Sequence, residues 1–172
     1  KNRLTPNAVS IQIPIGKEDS LSGVIDLIEM KAVFFDQKVQ GRDYQFAEIP
    51  ENLIENAQIC RELLIDKVAE FDDELMMMYL EGEDLDKDMI KKALRKAVLA
   101  NKLIPVLTGS SLKNIGVQLL LDAINDYLPA PIDIEIPTAI NRNNNELLEV
   151  KTDPNGKFSA LAFKIQMDKY VG

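Results

Sequence analysis

Two groups of residues have types and spacings that could do chemistry. Thr108-Gly109-Ser110-Ser111-Leu112-Lys113-Asn114 follows a short apolar run, Ile104-Pro105-Val106-Leu107. A Gly/Ser loop at the carboxyl end of a buried strand presents backbone amides that can meet an anion or a base carbonyl. An ordinary strand-to-helix turn with a serine cap has the same composition, and the residue types alone favour that plainer reading. The second group is Asp66, Glu70 and Asp73, spaced four and seven residues from the first. On one continuous helix, at about 100° per residue, they fall within a ~60° arc, and Glu62 extends it. Such a stripe is either a solvated face or a docking strip for Lys and Arg side chains, which raises on-rates and is salt-sensitive. It is not a metal site, because carboxylates on a flat outer face do not converge on one ion.

Other chemistries are excluded by what is missing. The 172 residues contain no histidine, which removes Ser-His-Asp and Cys-His catalysis and imidazole metal ligation. A single cysteine, Cys60, cannot build a disulfide framework or a cysteine-ligated metal centre within one chain. Cys60 falls on an apolar stripe and reads as a small hydrophobe. Met76-Met77-Met78 reads as core filler at Met78 and Met77 rather than as a soft binding surface. No apolar run approaches the ~20 residues of a membrane span. The start, Lys1 to Ser10, lacks the apolar core of a signal peptide.

Twenty basic and 28 acidic residues give a net charge of −8. Glu48 to Asp88 holds 14 acids and three bases, whereas Met89 to Leu121 holds six bases and no acid. So abrupt a change of sign implies separate faces with separate partners, or one face neutralising the other. The acidic balance argues against sequence-independent duplex DNA binding and permits a basic partner.

Three partial motifs are decoys. Gly16-Lys17 and Gly156-Lys157 lack the upstream glycine of a phosphate-binding loop. Asp153-Pro154-Asn155-Gly156 fits a D-x-x-G string but has turn residues inside it. Asn101-Lys102-Leu103-Ile104 begins like the guanine-reading N-K-x-D motif, yet Ile104 replaces its carboxylate.

The elements that must position these groups follow from periodicity. Ser10–Ile15 alternates as a strand, with Pro14 confined to an edge or end. Gly23–Phe35 reads as one or two strands and Tyr44–Ile49 as a returning one, together a small antiparallel sheet. Pro50 opens a helical region whose stripe of Leu53, Ala57, Cys60, Leu64, Val68, Phe71, Leu75 and Met78 ends at Gly82. Asp86 is a candidate N-cap for a helix with Met89, Ile90, Leu94, Ala97 and Val98 apolar. Ile115–Leu128 is a third helix with Val117, Leu120, Leu121, Ile124 and Leu128 inward, stopped by Pro129. Ile132–Gly156 reads as a connector with polar turns. Phe158–Met167 reads as a strand apolar on both faces, which needs a partner sheet.

Several strings in order resemble the elongation factor G family of translational GTPases. They include Ile11-Gln12-Ile13-Pro14-Ile15-Gly16, Gly23-Val24-Ile25-Asp26-Leu27, Tyr79-Leu80-Glu81-Gly82-Glu83 and Pro105 to Asn114. Gly116 to Ala123, Asp126-Tyr127-Leu128-Pro129, Ala160 to Ile165 and Asp168, Tyr170, Val171 and Gly172 complete them. The resemblance implies an internal fragment whose phosphate loop, switches and N-K-x-D motif lie upstream. The implied fold is an α+β insert subdomain with a small antiparallel sheet and helices. It is joined to the last strand–helix unit of an α/β P-loop GTPase domain and to the first strand of a β-barrel. The implied boundaries are 1–7 for the end of a GTPase-domain helix and 8–101 for the insert. Residues 102–130 would hold the last strand, guanine loop and last helix, 131–157 the connector, and 158–172 the first barrel strand.

By the same resemblance, Ser110, Ser111 and Leu112 match a Ser-Ala-Leu loop in which the middle residue's backbone N–H bonds the guanine carbonyl. Ser111 stands in the alanine position and keeps that donor. Asp66, Glu70 and Asp73 match an acidic helix face that contacts the C-terminal domain of the ribosomal stalk protein, which favours docking over a solvated face. The implied cofactors are GTP or GDP with magnesium in the full-length protein and none in the fragment alone, which is expected to lack GTPase activity. The implied partners are the ribosome and its stalk, with ribosomal RNA and tRNA met through other parts and no membrane. The implied setting is cytoplasmic or an organellar matrix. A related translational GTPase for ribosome recycling or protection, or a stalk-binding module alone, remain the alternatives.

Overall fold

The computed structural model describes residues 5–135, 138–165 and 167. Of the expected helix end at 1–7, residues 1–4 lie outside the described residues and 5–7 form a turn rather than a helix; the matches at Asp168, Tyr170, Val171 and Gly172 also lie outside the described residues. The chain divides into two compact units, one ending at Leu128 and one beginning at Pro129.

In the first unit, β2 (Gln12–Ile15), β3 (Gly23–Asp26), β4 (Lys31–Phe35) and β5 (Tyr44–Ala47) form a four-stranded antiparallel meander. Its register pairs Ile13 with Ile25 and Ile25 with Ala32, so these three share one face. That face packs against three helices: α1 (Glu51–Ala69), α2 (Asp73–Glu81) and α3 (Lys87–Leu99). Ala57, Leu64 and Val68 of α1, Leu75 of α2, and Ile90, Leu94 and Ala97 of α3 are buried there. Each fully buried aliphatic chain stabilises the fold by roughly 1.5–3 kcal/mol. The opposite sheet face carries Val24, Val33 and Phe35, which form a smaller core with Ile115.

The expected strand over Ser10–Ile15 is two strands. β1 (Ala8–Ser10) pairs in parallel with β6 (Ile104–Val106), and β2 joins the meander. The chain changes sheets at Ile11, whose N–H donates to the Val106 carbonyl while its own carbonyl accepts from Leu27 N–H, both at 3.0 Å. Strict alternation continues through the switch, so periodicity alone does not reveal it.

The helical stripe running from Leu53 to Met78 is also interrupted. The last turn of α1 tightens, with Phe71 N–H on Val68 O and Asp72 N–H on Ala69 O. Asp72 then turns extended, at φ −147°, and its carboxylate accepts from Leu75 N–H at 3.2 Å as the N-cap of α2. A side chain that caps a new helix competes with continuing the old one. Met76 and Met78 pack on the core and Met77 is exposed, so the filler reading fails at Met77. Cys60 is half-buried against the same core.

The last helix, α4 (Val117–Tyr127), is rotated from the expected orientation. Ala123 and Tyr127 are its buried residues and Leu119 packs on the small core. Leu120, Leu121, Ile124 and Leu128 are exposed instead of inward. Both stripes are apolar, and contact with α3 and the sheet selects the one carrying Tyr127.

The second unit contains a hairpin of β7 (Thr138–Ile140) and β8 (Leu147–Glu149) closed around the expected Asn143–Asn145 turn. The connector reading therefore missed a strand pair. The expected strand at Phe158–Met167 does not form among the described residues. Phe158, Leu161, Phe163 and Ile165 are exposed, because no described segment offers a ladder for their backbone.

Candidate nucleotide-base loop and acidic docking face

β6 delivers the chain to the loop at 107–116, and the sequence then folds back on itself. Ser110 and Ile115 exchange backbone hydrogen bonds at 2.9 Å in both directions. Ile115 is fully buried with Val24, Val33 and Phe35, so it pulls the base of the loop onto the sheet. The tip, Ser111 and Leu112, is thrown outward, and Leu112 is 95% exposed. Ser110 Oγ accepts from Lys113 N–H at 3.3 Å and closes the tip as a local turn.

Long-range tethers hold the loop. Lys113 Nζ donates to the Asp19 carbonyl at 2.7 Å, and Asn114 Nδ2 donates to the Gln40 carbonyl at 3.1 Å. Gln118 Nε2, at the start of α4, donates to Gly41 O at 2.9 Å and Arg42 O at 3.1 Å. Gly41 is required by this approach, since a Cβ there would lie 2.5 Å from the Asn114 carbonyl oxygen. Gly116 is required as well: it has φ +79°, and its Cβ would meet the Thr108 carbonyl oxygen at 2.7 Å.

The result is a turn tethered at its base, with free donors at its tip. Among the described residues, neither Ser111 N–H nor Leu112 N–H donates a hydrogen bond within the chain. A cavity of about 240 Å³ lies alongside, bounded by Leu107, Thr108, Ser110, Val117 and Leu120. Thr108 Oγ1 is buried there without a hydrogen-bond partner. Two fixed, exposed N–H groups beside a part-apolar cavity can meet the carbonyl of a planar base. The sequence identified Ser110, Ser111 and Leu112. It did not identify Lys113, Asn114 and Gln118 as their supports, because those depend on residues more than seventy positions away.

Asp66, Glu70 and Asp73 are all exposed but do not share one helix. Asp66 lies on α1, Glu70 is the residue that closes it, and Asp73 opens α2 beyond the Asp72 cap. The ~60° arc of a continuous helix is therefore not present. Glu70 is paired with Lys67 on its own helix, and Asp72 with Lys96 of α3 at 3.6 Å. What remains is an acidic corner at the α1–α2 junction, with Glu62 farther back along α1.

Elsewhere in the unit, α3 is clamped to the sheet through Glu29, which accepts from Lys87 at 3.1 Å and Lys91 at 3.0 Å. Burial acts to raise the Glu29 carboxyl, but the two ammonium groups outweigh it and hold it below its ordinary value. Arg61 donates to Leu27 O at 2.7 Å and Ile28 O at 2.6 Å, capping the end of β3 from α1. Among the described residues no cluster of His, Cys, Asp or Glu could hold a metal ion, and no helix is long and apolar enough to cross a membrane.

Comparison with known proteins now bears on this geometry. Over all 172 residues the chain is 48% identical to elongation factor G of two strains of Ureaplasma parvum serovar 3. The whole chain aligns with elongation factor G. It spans about a quarter, 25%, of the length of those elongation factor G relatives. The resemblance read from the residues is thus matched by similarity, over the whole of this chain, to a quarter of elongation factor G. No family model matches the chain. A solved crystal structure of a Thermus thermophilus protein superposes with a TM-score of 0.63 at 30% identity, covering 74% of this chain and 19% of that one.

Proposed function

We propose that this chain is the insert-bearing segment of a translation elongation factor of the G type. In that reading the longer protein hydrolyses GTP, with magnesium, and drives movement of tRNA and mRNA on the ribosome. Residues 8–101 are the insert, 102–130 close the GTPase domain, 131–157 connect, and 158–172 begin a barrel. The observation that carries the reading is the 48% identity over every residue of the chain. Two structural features support it. A parallel pair of only two strands, β1 and β6, is unusual, because parallel strands are normally buried in larger sheets. The exposed stripe of Leu120, Leu121, Ile124 and Leu128 on α4 is the kind of surface that packs against further chain.

Within that protein the loop supplies Ser111 N–H to the guanine carbonyl, flanked by Ser110 and Leu112. The acidic corner of Asp66, Glu70 and Asp73 takes the basic C-terminal domain of the ribosomal stalk protein. The present chain by itself binds GDP weakly, since this loop is its whole contribution to the nucleotide site. Titration calorimetry with GDP tests this, and micromolar affinity of the isolated chain would overturn it. In the full-length factor, Ser111→Pro deletes the donor and is expected to weaken GDP by about tenfold, the worth of one buried hydrogen bond. For the docking corner, Asp66→Lys with Glu70→Lys is expected to abolish low-salt capture by the stalk domain. Unchanged capture would exclude these residues as the contact.

A further inference from the structure

The loop that carries the free Ser111 and Leu112 amides is gripped by a turn of the meander, residues 36–43 between β4 and β5. That turn is closed on itself, independently of the loop. Asp36 N–H donates to Asp43 O at 2.9 Å, Gly41 N–H donates to Asp36 O at 2.8 Å, and Asp36 Oδ1 accepts from Lys38 N–H at 2.8 Å. Gln40 and Gly41 have positive φ, +55° and +68°, and each presents its carbonyl to a side chain beyond the turn. Asn114 Nδ2 donates to Gln40 O at 3.1 Å, and Gln118 Nε2 donates to Gly41 O at 2.9 Å and Arg42 O at 3.1 Å. In return Gln37 Nε2 donates to Lys113 O at 3.4 Å. The link reaches the tip. Asn114 N–H donates to Ser111 O at 3.3 Å, so one residue holds the turn with its side chain and Ser111 with its backbone.

We propose that this turn is a positioning element for base selection, and that Gln118 and Asn114 are the positioning residues that transmit it to the Ser111 N–H. The inference rests on the guanine-loop reading and adds to it a dependence on residues far outside the loop. Selecting one base carbonyl needs a donor fixed in direction as well as distance, because a hydrogen bond weakens steeply as it bends. The two tip amides make no bond of their own within the described residues, so their direction is set from the base of the loop. Gln118 shows this most directly. Its Oε1 is buried without a hydrogen-bond partner, a cost that offsets much of what its two donor bonds add to stability. What the amide retains is placement: it pins the first turn of α4, and with it Gly116 at the end of the loop, to the meander. Gly41 fits the same account. A Cβ there would lie 2.5 Å from Asn114 O and 2.8 Å from Lys113 O, displacing the residues beside the tip.

A double-mutant cycle in the full-length factor tests this, read by the affinities of GDP, inosine diphosphate and ADP. Gln118→Met keeps the length of the side chain and removes its donor. Asn114→Gly removes the other donor and keeps the positive φ of 51°. Each is expected to weaken GDP and inosine diphosphate about threefold, part of the worth of one hydrogen bond. ADP, which carries an amino group where the other two bases carry the carbonyl, is expected to be unaffected. After Ser111→Pro, which deletes the donor itself, each substitution is expected to change GDP affinity by less than about 1.5-fold, since a positioning residue acts only through the group it positions. Equal weakening of all three nucleotides, or the same loss with and without the Ser111 donor, overturns the proposal. So does unchanged GDP affinity in both variants while Ser111→Pro weakens it, an outcome that leaves the guanine-loop reading standing. Ser111→Pro without effect on GDP removes that reading and this proposal with it. The Asn114 bond is exposed, so Asn114→Gly carries the comparison alone if Gln118→Met fails to fold.

Discussion

Lys113 Nζ lies 2.7 Å from the carbonyl oxygen of Asp19, joining the loop after β6 to the turn between β2 and β3. The loop is therefore positioned by the sheet as well as by the strand that precedes it. An ammonium on a carbonyl is a charge-assisted bond worth about 1.5 kcal/mol or more when shielded, and less at an exposed site such as this one. Lys113→Met keeps the stem and removes the donor. Amide exchange at Ser110 and Ile115 is expected to quicken about fivefold, with the global unfolding midpoint nearly unchanged. Unaltered exchange at both amides would show that Ile115 burial alone holds the loop.

Gly116 and Gly82 both have positive φ, +79° and +72°, but different surroundings. A Cβ at Gly82 meets nothing within 4 Å, whereas at Gly116 it meets the Thr108 carbonyl oxygen. Gly82→Ala should cost about 1 kcal/mol, the left-handed penalty alone. Gly116→Ala should cost about 2–3 kcal/mol, because the clash adds to that penalty. Urea unfolding of both variants measures the difference. Equal losses would mean that the loop relaxes away from Thr108.

The helix interiors were legible because burial there is one-sided, and β3 and β4, which are buried on both faces, because of their runs of Val, Ile and Phe. Ile11, Ile13 and Ile15 alternate with less apolar neighbours, and Ala57, Leu64 and Val68 repeat at helical spacing, so pattern and packing agree. Legibility failed where two patterns compete. α4 is apolar on two stripes, and only contact with α3 and the sheet selects Ala123 and Tyr127 over Leu121 and Ile124. Gln12 occupies the polar phase of an alternating strand and so reads as solvent-facing, but α4 covers that side of the sheet. For the loop, Ser110–Leu112 were legible from a local string, whereas Gly41, Lys113 and Gln118 act across the fold and left no local signal.

Asp26 and Glu29, three residues apart, respond to acid in opposite senses. The Asp26 carboxyl is raised, first by burial, so its contribution is fully present below the unfolded value of 3.8 and is lost as pH rises through the folded value. Glu29 is held below 4.5, with burial opposing and Lys91 and Lys87 prevailing, so its contribution is present above 4.5 and lost as pH falls. Asp26→Asn keeps an oxygen for the Ile28 and Glu29 amides and removes the buried charge. It is expected to raise Tm at pH 7, with the gain vanishing below pH 3.8. Glu29→Gln is expected to lower Tm at pH 7, with the loss shrinking below pH 4.5. Thermal scans across this range check both signs, and a Tm gain for Asp26→Asn that persists in strong acid would refute the burial argument.

Asp72 does two things at the α1–α2 junction: it caps α2 through Leu75 N–H at 3.2 Å and pairs with Lys96 at 3.6 Å. The two are separable. Asn caps a helix as well as Asp does, so Asp72→Asn keeps the cap and loses the ion pair. That pair is long and Lys96 is largely exposed, so its loss should cost under about 1 kcal/mol. Asp72→Ala removes both and should cost about 1–2 kcal/mol. It also removes the side chain that competes with helix continuation. The prediction is that α1 and α2 then tend to merge, drawing Asp66, Glu70 and Asp73 towards the single stripe expected for one helix. Chemical unfolding measures the first effect, and backbone chemical shifts at Glu70 to Asp73 measure the second. If Asp72→Asn proves as costly as Asp72→Ala with no helical shift at Phe71, the junction is set by the Lys96 contact and not by the cap.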